Sequence, residues 1–173
     1  MSKIVFNHFT HEALVAGIEA IATTLEQEPW RPALLVGVGR GGLTPAVYLS
    51  HRMGLPLVSI DHSTKIDQFG DALVAVLAER TRAGEKLLFV EDINDSGRTI
   101  GELRAALTAH GGVAAQVRFA VLLDNIRSQQ QVEYRAQTID RDVTKDWFIF
   151  PWEAMAPREA IEDDAAEVPA RIA

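Results

Sequence analysis

The densest chemistry in the chain is a run of nine residues, Glu91-Asp92-Ile93-Asn94-Asp95-Ser96-Gly97-Arg98-Thr99. Two adjacent acids follow the apolar stretch Leu87-Leu88-Phe89-Val90, and a third acid comes three positions later. Ser-Gly-Arg-Thr then opens a helical pattern. A helix start leaves backbone N–H groups free at the positive end of the helix dipole, so Ser96, Gly97, Arg98 and Thr99 suit a phosphate monoester. The hydroxyls of Ser96 and Thr99 add donors. Glu91 and Asp92 can accept from a vicinal diol, directly or through a magnesium ion. Asp95 would sit between the phosphate cradle and the sugar, within reach of a reacting ring. A lone acid here would read as a helix N-cap; three acids in this order ask for more.

A second unusual segment is Gly37-Val38-Gly39-Arg40-Gly41-Gly42, after the apolar run Ala33-Leu34-Leu35-Val36. It matches G-x-G-x-x-G through Gly37, Gly39 and Gly42, and Asp61 lies 24 residues after Gly37. That spacing allows a dinucleotide site. It also allows a plain strand-to-helix turn needing positive φ. Arg40 favours a phosphate or pyrophosphate loop, because a guanidinium among glycines forks onto phosphate oxygens while bare amides point at the same group. No Gly-Lys-Ser/Thr follows, so it is not a Walker loop.

The elements that must position these residues alternate. His11 to Glu28 reads as an amphipathic helix with Thr10 as N-cap, since Leu14, Ile18, Ile21 and Leu25 recur at three or four. Leu43 to Met53 reads as a helix stopped by Gly54, and Leu57 to Ile60 as a strand. His62 to Gly70 reads as a polar loop. Ala72 to Leu77 fits strand or helix. Lys86 to Val90 reads as a strand, Ile100 to His110 as a helix, Val117 to Leu123 as a strand and Trp147 to Phe150 as an aromatic strand. Strands alternating with helices predict an α/β fold with a parallel sheet, whose ligands bind beyond the carboxyl ends of the strands.

Composition narrows the classes. At 173 residues the chain is one domain in size, 47% hydrophobic and without cysteine. Disulfides and thiolate chemistry are excluded, and the N-terminus reads as lacking a secretory leader, so a cytoplasmic location is expected. No apolar run approaches the ~18 residues of a membrane helix, so no membrane role is expected. The net charge is −7. Residues 153–173 carry a net −4 of it. An acidic surface argues against broad nucleic-acid binding. None of the five histidines has metal-ligand spacing.

Leu88 to Thr99 resembles the phosphoribosyl-pyrophosphate (PRPP) motif of type I phosphoribosyltransferases: an apolar strand, two acids, two linkers, then acid-Ser/Thr-Gly-basic-Thr. Val38 to Gly42 is similar to that family's pyrophosphate loop. Trp147-Phe148-Ile149-Phe150-Pro151-Trp152-Glu153 is similar to the base-binding end of bacterial and archaeal purine enzymes of the xanthine-guanine and hypoxanthine-guanine group. The resemblance spans about residues 33 to 153. It implies the type I phosphoribosyltransferase fold, a core parallel sheet flanked by helices, with a small hood from the N-terminal segment and about residues 124–153. It implies one domain over 1–153 and an acidic tail over 154–173.

The resemblance further implies transfer of a phosphoribosyl group from PRPP to a purine base, and a homodimer or homotetramer. Glu91 and Asp92 would hold the ribose hydroxyls and Mg2+, with Glu153 near the metal. Asp95 would face the purine N7. Ser96, Gly97, Arg98 and Thr99 would grip the 5′-phosphate. Arg40 and Gly41 would face pyrophosphate, with Lys65, beside Ser63 and Thr64, in a lid over 62–70. Trp147 would stack on the base and the backbone of Phe148 would read its edge. Such purine enzymes place a base-reading lysine where this chain has Asp124-Asn125; no lysine occurs between Lys86 and Lys145. Asn125 is the expected substitute, and its amide could serve a 6-oxo or a 6-amino base. A different base, a PRPP-binding regulator of the same fold and a dinucleotide-dependent oxidoreductase are the competing readings.

Overall fold

The computed structural model of the protein describes residues 4–61 and 71–166. The segment 62–70, with Ser63, Thr64 and Lys65, lies outside the described residues, as does 167–173. The main sheet has five strands: β2 (Leu34–Val38), β3 (Leu57–Ile60), β4 (Leu87–Asn94), β5 (Val117–Asn125) and β6 (Tyr134–Ile139). All pair in parallel, in the order β3-β2-β4-β5-β6. A separate parallel pair joins β1 (Phe6–His8) to β7 (Trp147–Ile149).

Helices cover both faces, as a parallel sheet requires. On one face α1 (His11–Gln27) and α2 (Gly39–Met53) bury Leu14, Ile18, Ile21, Leu25, Ala46 and Leu49 against Leu35, Leu88 and Leu122. On the other, α3 (Asp71–Arg82) and α4 (Arg98–Ala109) bury Val74, Leu77, Ile100 and Leu103 against Val36, Phe89 and Phe119. The ambiguous run Ala72 to Leu77 is therefore helical, because Val74, Leu77, Ala78 and Thr81 form one buried stripe. Thr10 caps α1 as expected, its Oγ1 accepting from Ala13 N at 3.1 Å.

The differences from the sequence expectation that bear on the site are these. Strand β4 does not stop at Val90 but carries both acids, because β5 supplies partners as far as Asn94↔Asp124. Helix α2 begins at Gly39, so the glycine segment is a tight strand-to-helix junction with φ 54° at Gly39 and no side-chain cap. Residues 134–139, expected in the hood, form the edge strand of the main sheet. Their half-exposed pattern hides them beside the fully buried β2. A fifth helix, α5 (Arg158–Ala166), occupies part of the acidic tail.

β2 runs to β3 on one side while β4 lies on its other side. The strand order reverses between β2 and β4, and their carboxyl ends open a crevice there. Both unusual segments sit at that switch point.

Candidate active site

Two glycines let α2 start against the end of β4. A Cβ on Gly42 would lie 2.1 Å from the Val90 carbonyl oxygen, and one on Gly41 would lie 2.2 Å from Asp92 Oδ2. The glycine junction and the acid pair are thus in contact, which neither segment shows alone. Arg40 is exposed beside them, and its charge reaches Glu153.

Glu91 and Asp92 are half-buried neighbours. Burial pushes the Glu91 carboxyl well above its ordinary range, and the Asp92 charge adds to the effect. Burial likewise pushes Asp92 up to about 6, with the charge of Glu153 adding to it, although Ile93 N–H donates to Asp92 Oδ1 at 2.7 Å. Burial also raises Glu153, whose Oε2 accepts from Phe150 N at 2.8 Å. Carboxylates crowded in this way favour protons or a cation.

Beyond the acids the chain turns at Gly97, with φ 85°, and enters α4 without a side-chain cap from that residue. Glu91 to Ile100 line a cavity of about 150 Å³. Ser96 is exposed toward it and its Oγ accepts from Arg98 N at 3.3 Å. The Arg98 guanidinium turns away onto Glu102 at 2.8 Å, so Arg98 offers the cavity its backbone rather than its charge. Thr99 is half-buried in the same turn. A bracket that was not legible in the sequence fixes this turn. Ser128 Oγ donates to Asn94 Oδ1, and Asn94 Nδ2 donates to Asp124 Oδ1 and to the Gln130 carbonyl, all at 2.8 Å. Gly97 has no room for a Cβ beneath Ser128 and Gln130.

A second cavity of about 190 Å³ shares Asp92 and Ile93 with the first. Its other walls are Arg141, Trp147, Phe148, Phe150 and Glu153. The β1–β7 pair holds the aromatic wall, with Phe6 opposite Trp147 and Asn7 opposite Phe148. One cleft therefore joins a helix-start cradle, paired acids and an aromatic recess.

Asp95 is buried, and its partner is a residue the motif does not contain. Arg141 Nε lies 3.1 Å from Oδ1 and Nη2 lies 2.9 Å from Oδ2. Asn125, expected at the base, is turned inward instead. Its Nδ2 donates to the Asp95 carbonyl at 2.9 Å, and its Oδ1 accepts from the N–H groups of Arg127 and Arg141. Asp124 is held by Arg135 at 2.8 Å. Lys65 lies outside the described residues. Among the described residues no cluster of three or more His, Asp or Glu side chains could hold a metal alone.

A family model, the phosphoribosyl transferase domain, matches residues 7–157. Xanthine-guanine phosphoribosyltransferase of Roseobacter denitrificans is 29% identical over 138 residues, 74% of this chain and 71% of that protein. The enzyme of the same name from Cereibacter sphaeroides is 26% identical over 128 residues, 72% of this chain and 70% of that protein. The crystal structure of purine phosphoribosyltransferase from Pyrococcus horikoshii covers 88% of this chain and 97% of its own, with a TM-score of 0.63 at 24% identity.

Proposed function

We propose, for a chain that belongs to the phosphoribosyl transferase domain family, that it moves the 5-phosphoribosyl group of PRPP onto a 6-oxopurine, releasing pyrophosphate and a nucleoside monophosphate in purine salvage. The observation that carries this reading is the shared wall: Asp92 and Ile93 border both the α4 cradle and the aromatic recess. A phosphosugar in the first cavity would present its C1 toward a base in the second. The names of the curated relatives support the base class.

In this reading the amides of Ser96 to Thr99 grip the 5′-phosphate, and Glu91 and Asp92 meet the ribose hydroxyls. Arg40 and Gly41, with Lys65 from the 62–70 segment, face pyrophosphate. Trp147 stacks on the base, the Phe148 backbone meets its edge, and Asp95 accepts from the imidazole N7–H. The C1–O bond to pyrophosphate breaks with its electron pair leaving on pyrophosphate, and the base nitrogen supplies the pair of the new C1–N bond. The two carboxylates stabilise positive charge developing on the ribose.

Mg2+ fits these residues. It binds through one or two carboxylates plus substrate oxygens rather than an all-protein cage. Glu91 and Asp92, crowded and raised, are such a pair, with Glu153 near enough to feel the same field. When bound, the ion supplies charge neutralisation for the leaving pyrophosphate.

We take residues 1–153 as the catalytic domain and the β1–β7 pair as the core of its hood. Among the described residues no helix is long and apolar enough to cross a membrane; a cytoplasmic location is part of the proposal. Exposed Leu43, Val47 and Tyr48 on α2 beside Val15 on α1 support self-association as a homodimer or homotetramer. The test is pyrophosphate release from Mg·PRPP with guanine, xanthine, hypoxanthine, adenine, uracil and orotate offered singly. Release with a 6-oxopurine is expected. Release only with a pyrimidine would overturn the base class. No release with any base, while PRPP still raises the melting temperature, would favour a PRPP-binding regulator.

A further inference from the structure

Arg141 combines features that a structural arginine would not need together. It is 8% exposed, yet it lines the aromatic recess with Trp147 and Phe148. Its Nη1 donates to the carbonyls of Thr144 and Asp146 at 3.1 and 2.6 Å. Its Nε and one Nη2 hydrogen take the Asp95 carboxylate. Its Cζ stands 5.3 Å from the centre of the Phe148 ring. A guanidinium has five N–H donors. Four are engaged here, and the remaining Nη2 hydrogen has no partner among the described residues.

A donor therefore stands at the wall of the recess, on the side chain that holds Asp95, and Asp95 lines the adjoining cavity that shares Asp92 and Ile93 with the recess. A 6-oxopurine carries its O6 acceptor beside N7 on one edge, and a 6-aminopurine carries a donor there. An N7–H tautomer of a 6-oxopurine thus offers donor and acceptor side by side, the complement of Asp95 and Arg141. An amino group in place of O6 would set donor against donor, with a buried cation left unmatched. The position after β5 cannot supply this donor, because Asn125 is committed to Asp95 and to the N–H of Arg141 itself.

We propose that Arg141 is the specificity-determining residue of the recess: it donates from Nη2 to the 6-oxo oxygen of the bound base while its fork aims Asp95 at N7. This inference rests on the phosphoribosyltransferase reading above and assigns its base-reading group.

The test compares kcat/KM for hypoxanthine and adenine at saturating Mg·PRPP in the wild type, Arg141→Gln and Arg141→Lys. The wild type should favour hypoxanthine by at least about 100-fold. Arg141→Gln should lose about 10- to 100-fold with hypoxanthine, with adenine far less affected and KM for PRPP unchanged. Arg141→Lys should fall between them, since a point cation donates without the fork. A purely structural Arg141 would lower both bases together and leave their ratio fixed; that result overturns the inference. So does a wild type that uses adenine as well as hypoxanthine, a measurement that needs no variant to fold. A wild type that releases pyrophosphate with none of the purines or pyrimidines offered overturns the phosphoribosyltransferase reading first, and the inference with it.

Discussion

Asp92→Asn should make the ligand-free protein more stable while ending its ability to use PRPP. The Asp92 carboxyl is raised from 3.8 to about 6, chiefly by burial. In the pH window between those values the folded chain binds more protons at this group than the unfolded chain, so stability falls as pH climbs and stays low above it. The full penalty of the ionised form is about 3 kcal/mol above the window, and about half of that is already present at pH 5. Asn removes the charge and keeps an oxygen to accept from Ile93 N–H. The gain at pH 7.5 should approach ~6–12 °C for a chain of this size, shrinking to about half at pH 5. Differential scanning calorimetry in chelator at both pH values reads it directly. Added Mg·PRPP should then reverse the order, raising the melting temperature of the wild type and not of the variant. A variant melting at or below the wild type at pH 7.5, or a gain that does not grow with pH, would refute the reasoning.

Gly42→Ala should cost about 1–3 kcal/mol in denaturant melts, because its Cβ meets a backbone carbonyl that cannot step aside. Gly41→Ala should cost less stability but weaken PRPP binding by calorimetry at least about tenfold, since the side chain it displaces is Asp92. Asp95→Asn should lower turnover about 100-fold or more with PRPP still bound. It should also lower the melting temperature, because Arg141 loses a buried anionic partner. Trp147→Ala should raise KM for the base about tenfold or more and leave KM for PRPP unchanged in steady-state kinetics, because it removes the stacking face of the recess.

Glu91 to Thr99 is legible because its chemistry is contiguous: strand, acids and helix start follow one another and need only local geometry. Trp147 and Phe148 are legible for the same reason. Arg141 is not, because its meaning lies in an ion pair with Asp95 across 46 positions of chain. Nothing in Asp140-Arg141-Asp142 separates that arginine from the exposed Arg127, which pairs with Asp140 and Asp142. The position of Asn125 alone points to the base; its orientation is set by Asp95 and the Arg141 backbone, neighbours that the strand pattern does not reveal. The β6 segment Tyr134–Ile139 escaped because an edge strand buries one face only, whereas β2 announces itself by full burial.

The pairing of Phe6–His8 with Trp147–Ile149 sets an order on the birth of the molecule. During synthesis the first strand is made long before its partner, and it must wait while all five strands of the main sheet are completed. The turn that opens α4 can form once β5 and the bracket of Ser128 and Gln130 have emerged. The recess closes only when the last strand returns to the first. A chain that had emerged only as far as Ile139 would thus hold the completed main sheet without Arg141 or the aromatic wall, and occupancy of that wall is a readout of whether the first and last strands have met.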